Sequence, residues 1–424
     1  MTQPDNQGSD AAGLDAPGID AAWLDAECRR LLDFGRRFPH PAGGAGWLDD
    51  TGAVDLTRPV HTYITARMGH VYCLADLLGD AGGAALADAA LAGLIGPLRD
   101  PVHDGWFTQV AGTAAIPDIK ACYDHAFVVL AASSAAITNR PGARDLLAAA
   151  LGILNDKFWD ATEAMYVDNW DRSFSTLSPY RGINANMHTV EALLAATDAT
   201  GDSRWRHRAL DIAHRVTEFA RGRRWRIPEH FDPAWRPLFD HNRDRPDDPF
   251  QPFGATVGHG LEWSRLMLHL HAGLGESAPD WLTEAAVELF HRAVTDGWAV
   301  DGAPGFVYTT DWVGQPVVRQ RMHWVLAEGV AAAAALHQRT GDDCYLDQAA
   351  VWWDYARQYL IDPEHGSWHH ELDPENRPAA TVWPGKPDLY HAVQATLIPR
   401  LPLTPGVALS LRNRPGAAAP VGSP

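Results

Sequence analysis

Hydrophobic and polar positions repeat in a fixed order along this chain. Six segments open on polar and aromatic residues and then turn apolar, several closing on Gly-Asp. They are HTYITARMGHVYCLADLLGD from His61, YDHAFVVLAASSAA from Tyr123, NANMHTVEALLAATDATGD from Asn184, GHGLEWSRLMLHLHAGLG from Gly258, HWVLAEGVAAAAALHQRTGD from His323 and DLYHAVQATLIPRL from Asp388. Their starts lie 61 to 74 residues apart. Inside a segment the period is helical: Val190, Leu193, Leu194 and Thr197 fall at i, i+3, i+4 and i+7. The Ala-rich runs are strong helix formers that permit close helix contact. Between the segments lie amphipathic stretches. RWRHRALDIAHRVTEFA from Arg204 carries Ile212, Val216 and Phe219 on one stripe, and YLDQAAVWWDYARQYL from Tyr345 is another.

The pattern predicts an all-α fold of six hairpins, each with one nearly all-apolar helix and one amphipathic helix. A helix that is apolar all round must be covered on both sides. An inner ring of six helices inside an outer ring of six, the (α/α)6 barrel, satisfies that; an open superhelical stack of hairpins also fits the repeat. One catalytic domain is predicted over residues 19–405, between a disordered tail (1–18) and a flexible tail (406–424) rich in Pro, Gly and Ala. The aromatic stretches GWFTQV from Gly105 and GFVYTTDW from Gly305 read as short hairpins or loops at one rim. The long, polar, Pro-rich stretch 221–257 is expected to lie over a site.

Composition narrows the partners. A net charge of −18 disfavours nucleic acid and anionic membranes. There is no signal peptide pattern and no apolar run long enough for a membrane helix, so a cytoplasmic location is expected. Cys28, Cys73, Cys122 and Cys344 form no CxxC or zinc-like spacing and read as reduced thiols.

Chemistry collects at the segment starts. Parallel inner helices would bring Tyr63, Arg67 and His70, then Tyr123, Asp124 and His125, then Asn184, Asn186 and His188 to one end of the ring. His259, Glu262 and Trp263, His323, Trp324 and Glu328, and Tyr390 and His391 continue the circle. A lone histidine at a helix start often only caps or fills; one in each of six repeats marks a pocket. His259 and Glu262 are spaced i, i+3 and can share a face. The chain has 17 Trp; Trp47, Trp263, Trp324 and Trp383 lie beside the polar clusters, where aromatic faces suit the C–H faces of a sugar.

At these residues the sequence resembles the N-acylglucosamine 2-epimerase superfamily and, within it, looks most like the mannose isomerases and sulfoquinovose isomerases. The motifs are ITARMGHVY, YDHAF, YRGINANMH, EHFD, FGATVGHGLEW, RMHWVLAEG and KPDLYHA, and the likeness spans about residues 20–405. It implies an (α/α)6 barrel and an aldose–ketose isomerase or 2-epimerase that needs neither metal nor other cofactor. It assigns acid–base catalysis to His259 and His391 and makes Glu262 a pocket position, which by its chemistry can hold His259 in the right tautomer. Arg67, Tyr123, Asn184, His188, Trp324 and Glu328 match its pocket positions, and Tyr63, Trp383 and His370 are added here as substrate-binding. Where sulfosugar isomerases carry an Arg and a Gln, this chain has Pro249 and His370, which favours a neutral hexose such as mannose or fructose. A monomer or a homodimer fits equally.

Three other readings stay open on the residues. His259, Glu262, His369 and His370 could ligate a metal. Glu262 and Glu328 could be the carboxylate pair of a glycoside hydrolase. A carbohydrate-binding toroid without catalysis would explain the tryptophans but leave the histidines unused.

Overall fold

The computed structural model describes residues 20–111, 114–115 and 119–414. The expected N-terminal tail lies outside the described residues. Thirteen helices dominate the described part: α1 (Ala21–Gly35), α2 (Thr62–Leu77), α3 (Gly83–Ile95), α4 (Cys122–Ile137), α5 (Ala143–Ile153), α6 (Ile183–Thr200), α7 (Arg204–Arg221), α8 (Val257–Leu274), α9 (Trp281–Gly297), α10 (His323–Thr340), α11 (Cys344–Tyr355), α12 (Tyr390–Leu397) and α13 (Val407–Arg412).

The even-numbered helices form the inner ring. α2 packs on α4, α4 on α6, α6 on α8, α8 on α10, α10 on α12, and α12 returns to α2. Closure back to α2 excludes the open stack. Each of the first five inner helices pairs with the helix that follows it, and α12 pairs with α1. The N-terminal helix is therefore the sixth outer helix. Trp368 Nε1 reaches Glu27 at 2.7 Å and Trp23 meets Trp353 edge-on at 5.3 Å, which ties that seam.

The two kinds of helix differ because their surroundings differ. In α7, Trp205, Ala209, Ile212, Ala213, Val216 and Ala220 are buried while the Arg-rich face is solvated. Each fully buried aliphatic side chain of this kind contributes about 1.5–3 kcal/mol. In α10 every residue from Val325 to Leu336 is buried, and the Ala run lets neighbours approach from both sides. α6 ends at Gly201, whose φ of 74° lets its N–H return to the Thr197 carbonyl at 2.8 Å.

Short strands form one rim. Val60–His61, Ile119–Ala121, Arg181–Gly182, Ala255–Thr256 and Arg321–Met322 each run straight into an inner helix. Each pairs antiparallel with a strand that follows an outer helix, for example Ala255 with Thr310 and Arg321 with Leu372. The stretches from Gly105 and Gly305 supply two of these partners, as the aromatic pattern suggests. All the inner helices start at this rim. Buried ion pairs brace it: Lys120–Asp100 at 3.0 Å, Arg321–Asp301 at 2.7 Å and Lys386–Asp362 at 2.5 Å.

The C-terminal boundary differs from expectation. Residues 406–412 are not a tail: α13 packs on α2, α4 and α6 at the far end of the ring, with Ala408 and Leu411 buried. Four apolar residues in a six-residue helix are too weak a periodic signal to read alone. Beyond Arg414 the expected tail lies outside the described residues. Among the described residues no helix is long and apolar enough to cross a membrane.

Candidate active site

The inner-helix starts enclose a cavity of about 700 Å³ that includes its open mouth. It is lined by Tyr63, Arg67, Tyr123, Asn184, His188, His259, Glu262, Trp324, His370, Trp383 and His391, all expected from the sequence. Glu328 is the exception; it stands behind His391 rather than at the cavity surface.

Two imidazoles have the same environment. His259 Nδ1 bonds a Glu229 oxygen at 2.9 Å, and His391 Nδ1 bonds a Glu328 oxygen at 3.0 Å. A carboxylate acceptor fixes the proton on Nδ1 and leaves Nε2 as a base. Trp324 stands between the two rings, its centroid 5.4 Å from His259 and 5.6 Å from His391. Burial, with Arg67 and His323 adding to it, holds His391 well below the ordinary imidazole range, so it is neutral near pH 7.

Glu262 does not hold His259. Its Oε1 lies 3.5 Å from His188 Nδ1 and 3.7 Å from Arg265. His259 sits in the first turn of α8, level with the rim, where the loop carrying Glu229 passes; Glu262 is one turn deeper and faces the axis. Glu229 was present in the EHFD motif, yet nothing in its spacing tied it to His259, 30 residues on.

Below the cavity lies a buried charged layer. Arg265 reaches Glu328 at 2.8 Å and Glu191 at 3.5 Å, and Tyr390 O–H donates to Glu191. Three carboxylates against one guanidinium leave negative charge in excess. Burial and then Glu328 push the Glu262 carboxyl well above the usual range, towards its neutral form. Nearer the mouth, Arg67 bonds Asp388 at 3.0 Å and the Tyr123 hydroxyl at 2.9 Å. Burial opposes ionisation of Asp388, but the Arg67 guanidinium outweighs it and keeps its carboxyl below the usual range.

Several segment-start residues turn away. His125 faces outward: its Nδ1 donates to the Ala121 carbonyl and its Nε2 accepts the Trp106 N–H. Tyr123 points at the axis, so a residue two positions on, 200° round the helix, points at the outer ring. Asp124 accepts the Tyr63 N–H at 3.0 Å and so caps α2 from the neighbouring helix. Asn186 bridges to Tyr166 backbone, and His70 lies two turns into α2, below the charged layer. Trp263 is wholly buried and does not line the cavity.

The long stretch before α8 does cover the cavity. Pro249, Phe250 and Pro252 line it, and the Phe250 ring meets Tyr63 and Tyr123 at 5.9 Å and Trp383 at 5.2 Å. The other readings fare worse. His369 is not in the cavity lining. Among the described residues, the one His/Cys/Asp/Glu group with ligand atoms close enough for a metal is His188, Glu191 and Glu262, where Arg265 already supplies positive charge. Glu262 and Glu328 share Arg265 and do not face each other across the cavity, as a hydrolase pair must.

The sequence profile of the N-acylglucosamine 2-epimerase (GlcNAc 2-epimerase) family matches residues 43–395. The chain is 52% identical over 400 residues to a D-mannose isomerase of Thermobifida fusca, covering 94% of this chain and 96% of that one. It is 47% identical over 389 residues to a D-mannose isomerase of Pseudomonas cannabina pv. alisalensis, covering 91% and 94%. Among solved structures, a crystal structure of D-mannose isomerase superposes with a TM-score of 0.84 at 26% identity, over 90% of this chain and 97% of that chain. The cellobiose 2-epimerase from Spirochaeta thermophila DSM 6192 shares the fold, with a TM-score of 0.79 at 22% identity over 90% and 95%. With a helical barrel of this kind and a family match over most of its length, the chain belongs to the N-acylglucosamine 2-epimerase family and is a sugar isomerase.

Proposed function

We propose that the protein interconverts D-mannose and D-fructose by proton transfer between histidines and an enediolate, without a metal. The observation that carries this reading is the pair of carboxylate-backed imidazoles, His259–Glu229 and His391–Glu328, on either side of Trp324.

The chemistry follows from what such a pair can do. A bound pyranose first opens: one group takes the proton of the anomeric hydroxyl while another gives a proton to the ring oxygen. One imidazole Nε2 then removes the C2 proton, and the electron pair moves to give an enediolate across C1 and C2. Moving the hydroxyl proton from O2 to O1 and returning the abstracted proton to C1 completes the ketose, and no atom is gained or lost. Histidine suits this because it can accept and return a proton near neutral pH. Arg67, held by Asp388 and Tyr123, offers fixed positive charge to the enediolate oxygens. Trp324 supplies an apolar face for the ring, and Phe250 limits water above it. Among the described residues the cavity lining carries no lysine or arginine besides Arg67, which fits a neutral hexose better than a sulfonated one.

Proton NMR of D-mannose with EDTA-treated enzyme in D₂O tests the reading. Fructose, with deuterium at C1 where the histidine proton exchanges, is the expected product, and mannose re-formed by the reverse reaction carries deuterium at C2. Glucose without fructose would make the enzyme a 2-epimerase, and activity restored only by added metal would overturn the histidine mechanism.

A further inference from the structure

A second cavity lies on the ring axis beyond the charged layer, at the end opposite the active site. Its volume, about 690 Å³ including its opening, is close to the 700 Å³ of the active site. The chain from Leu403 to Leu409 forms part of its wall. Three side chains that line it carry polar atoms with no partner among the described residues: His70 Nε2, His269 Nε2 and the Gln394 side-chain oxygen. His70 and Gln394 are 3% and 2% exposed. Buried polar atoms left unpaired cost on the order of 1–3 kcal/mol each, so three of them on one cavity wall favour a further hydrogen-bonding partner there.

The orphan atoms also describe the occupant. His269 Nδ1 donates to the Leu403 carbonyl at 2.7 Å, so its Nε2 is an acceptor, as is the Gln394 oxygen. Burial lowers both histidines to about 4, so neither brings charge at neutral pH. The charged groups in the wall balance: Glu191 and Asp198 against Arg206 and Arg265. Leu130, Leu194 and Leu266 make an apolar side. A neutral molecule rich in hydroxyl donors, with C–H faces between them, meets all of these demands. We propose that this lower cavity is a second binding site, for a small neutral polyol.

Equilibrium dialysis with radiolabelled mannitol tests this, comparing the wild type with Ala195→Phe. Ala195 lines the lower cavity and not the upper one, so a phenyl group there fills the site while leaving the active site intact. The wild type is expected to bind one more mannitol per chain than the variant. Gln394→Leu, which removes one acceptor without adding bulk, should weaken that extra site at least tenfold and serves where Ala195→Phe does not fold. Equal binding in all three proteins, with only ordered water in the lower cavity of crystals grown in mannitol, overturns the proposal. The readout involves no isomerisation, so failure of the mannose reaction leaves it standing.

Discussion

Glu229 is the residue on which the site's chemistry turns most visibly. It is 4% exposed and gives one oxygen to His259 Nδ1, while its other oxygen has no partner among the described residues. A buried carboxylate spent on one imidazole makes sense if that imidazole becomes charged during turnover. Hydrogen bonds to charged groups contribute about 1.5–3 kcal/mol, which is about 10- to 100-fold in rate. Glu229→Gln keeps the shape and removes the charge. Steady-state kinetics should show kcat falling by that factor with little change in KM; an unchanged kcat would mean that His259 never carries the proton.

At the scale of the element, the close crossing of α8 and α10 sets the position of Trp324. A Cβ at Gly258 would lie 2.3 Å from the half-buried Trp324 ring, so the indole flanked by two imidazoles must shift to admit it. Overpacking of this kind costs about 1–3 kcal/mol. Gly258→Ala should therefore lower thermal stability modestly and kcat/KM at least tenfold, because the displaced ring pushes on both histidines. Retained kcat/KM alongside lower stability would separate Trp324 from the catalytic geometry. The same element shows how caps are shared: α2 begins without a side-chain cap of its own and uses Asp124 of α4. Such a cap joins neighbouring inner helices, and the i, i+3 patterns that mark ordinary caps in a sequence do not reveal it.

The whole molecule carries an unusual load of covered histidines. Burial lowers His61, His70, His230, His269 and His323 to about 4 and His125 to about 3, and holds His188, His370 and His391 well below the ordinary range. Below pH 6.5 the unfolded chain binds protons at these positions that the folded one does not. Stability is thus full above about pH 6.5 and is lost as pH falls from there towards 4, by up to about 1.4 kcal/mol per pH unit for each group. Four buried carboxyls oppose this, because burial raises Asp124, Asp168, Asp198 and Glu262. Nine groups against four leave the histidines in control of the sign. The melting temperature followed by circular dichroism should drop steeply between pH 6.5 and 5; a flat profile would contradict the buried neutral state of the ring.

The amino-acid sequence alone determines the helical period, the alternation of all-apolar and amphipathic helices, and the direction in which the inner helices point. Those follow from local rules, since each depends on residues within a few turns of one another. From them come the double ring and the placement of Arg67, Tyr123, His188, His259, Trp324 and His391 at one end. Tertiary structure alone decided the partners. Glu229 reaches His259 from a loop, Asp388 reaches Arg67 across 321 residues, and α1 closes the ring against α12. It also turned His125 outward and sent His70 to the far cavity. A side chain's direction around the helix axis follows from which neighbours its helix packs between, and ring closure, not local spacing, chooses those neighbours.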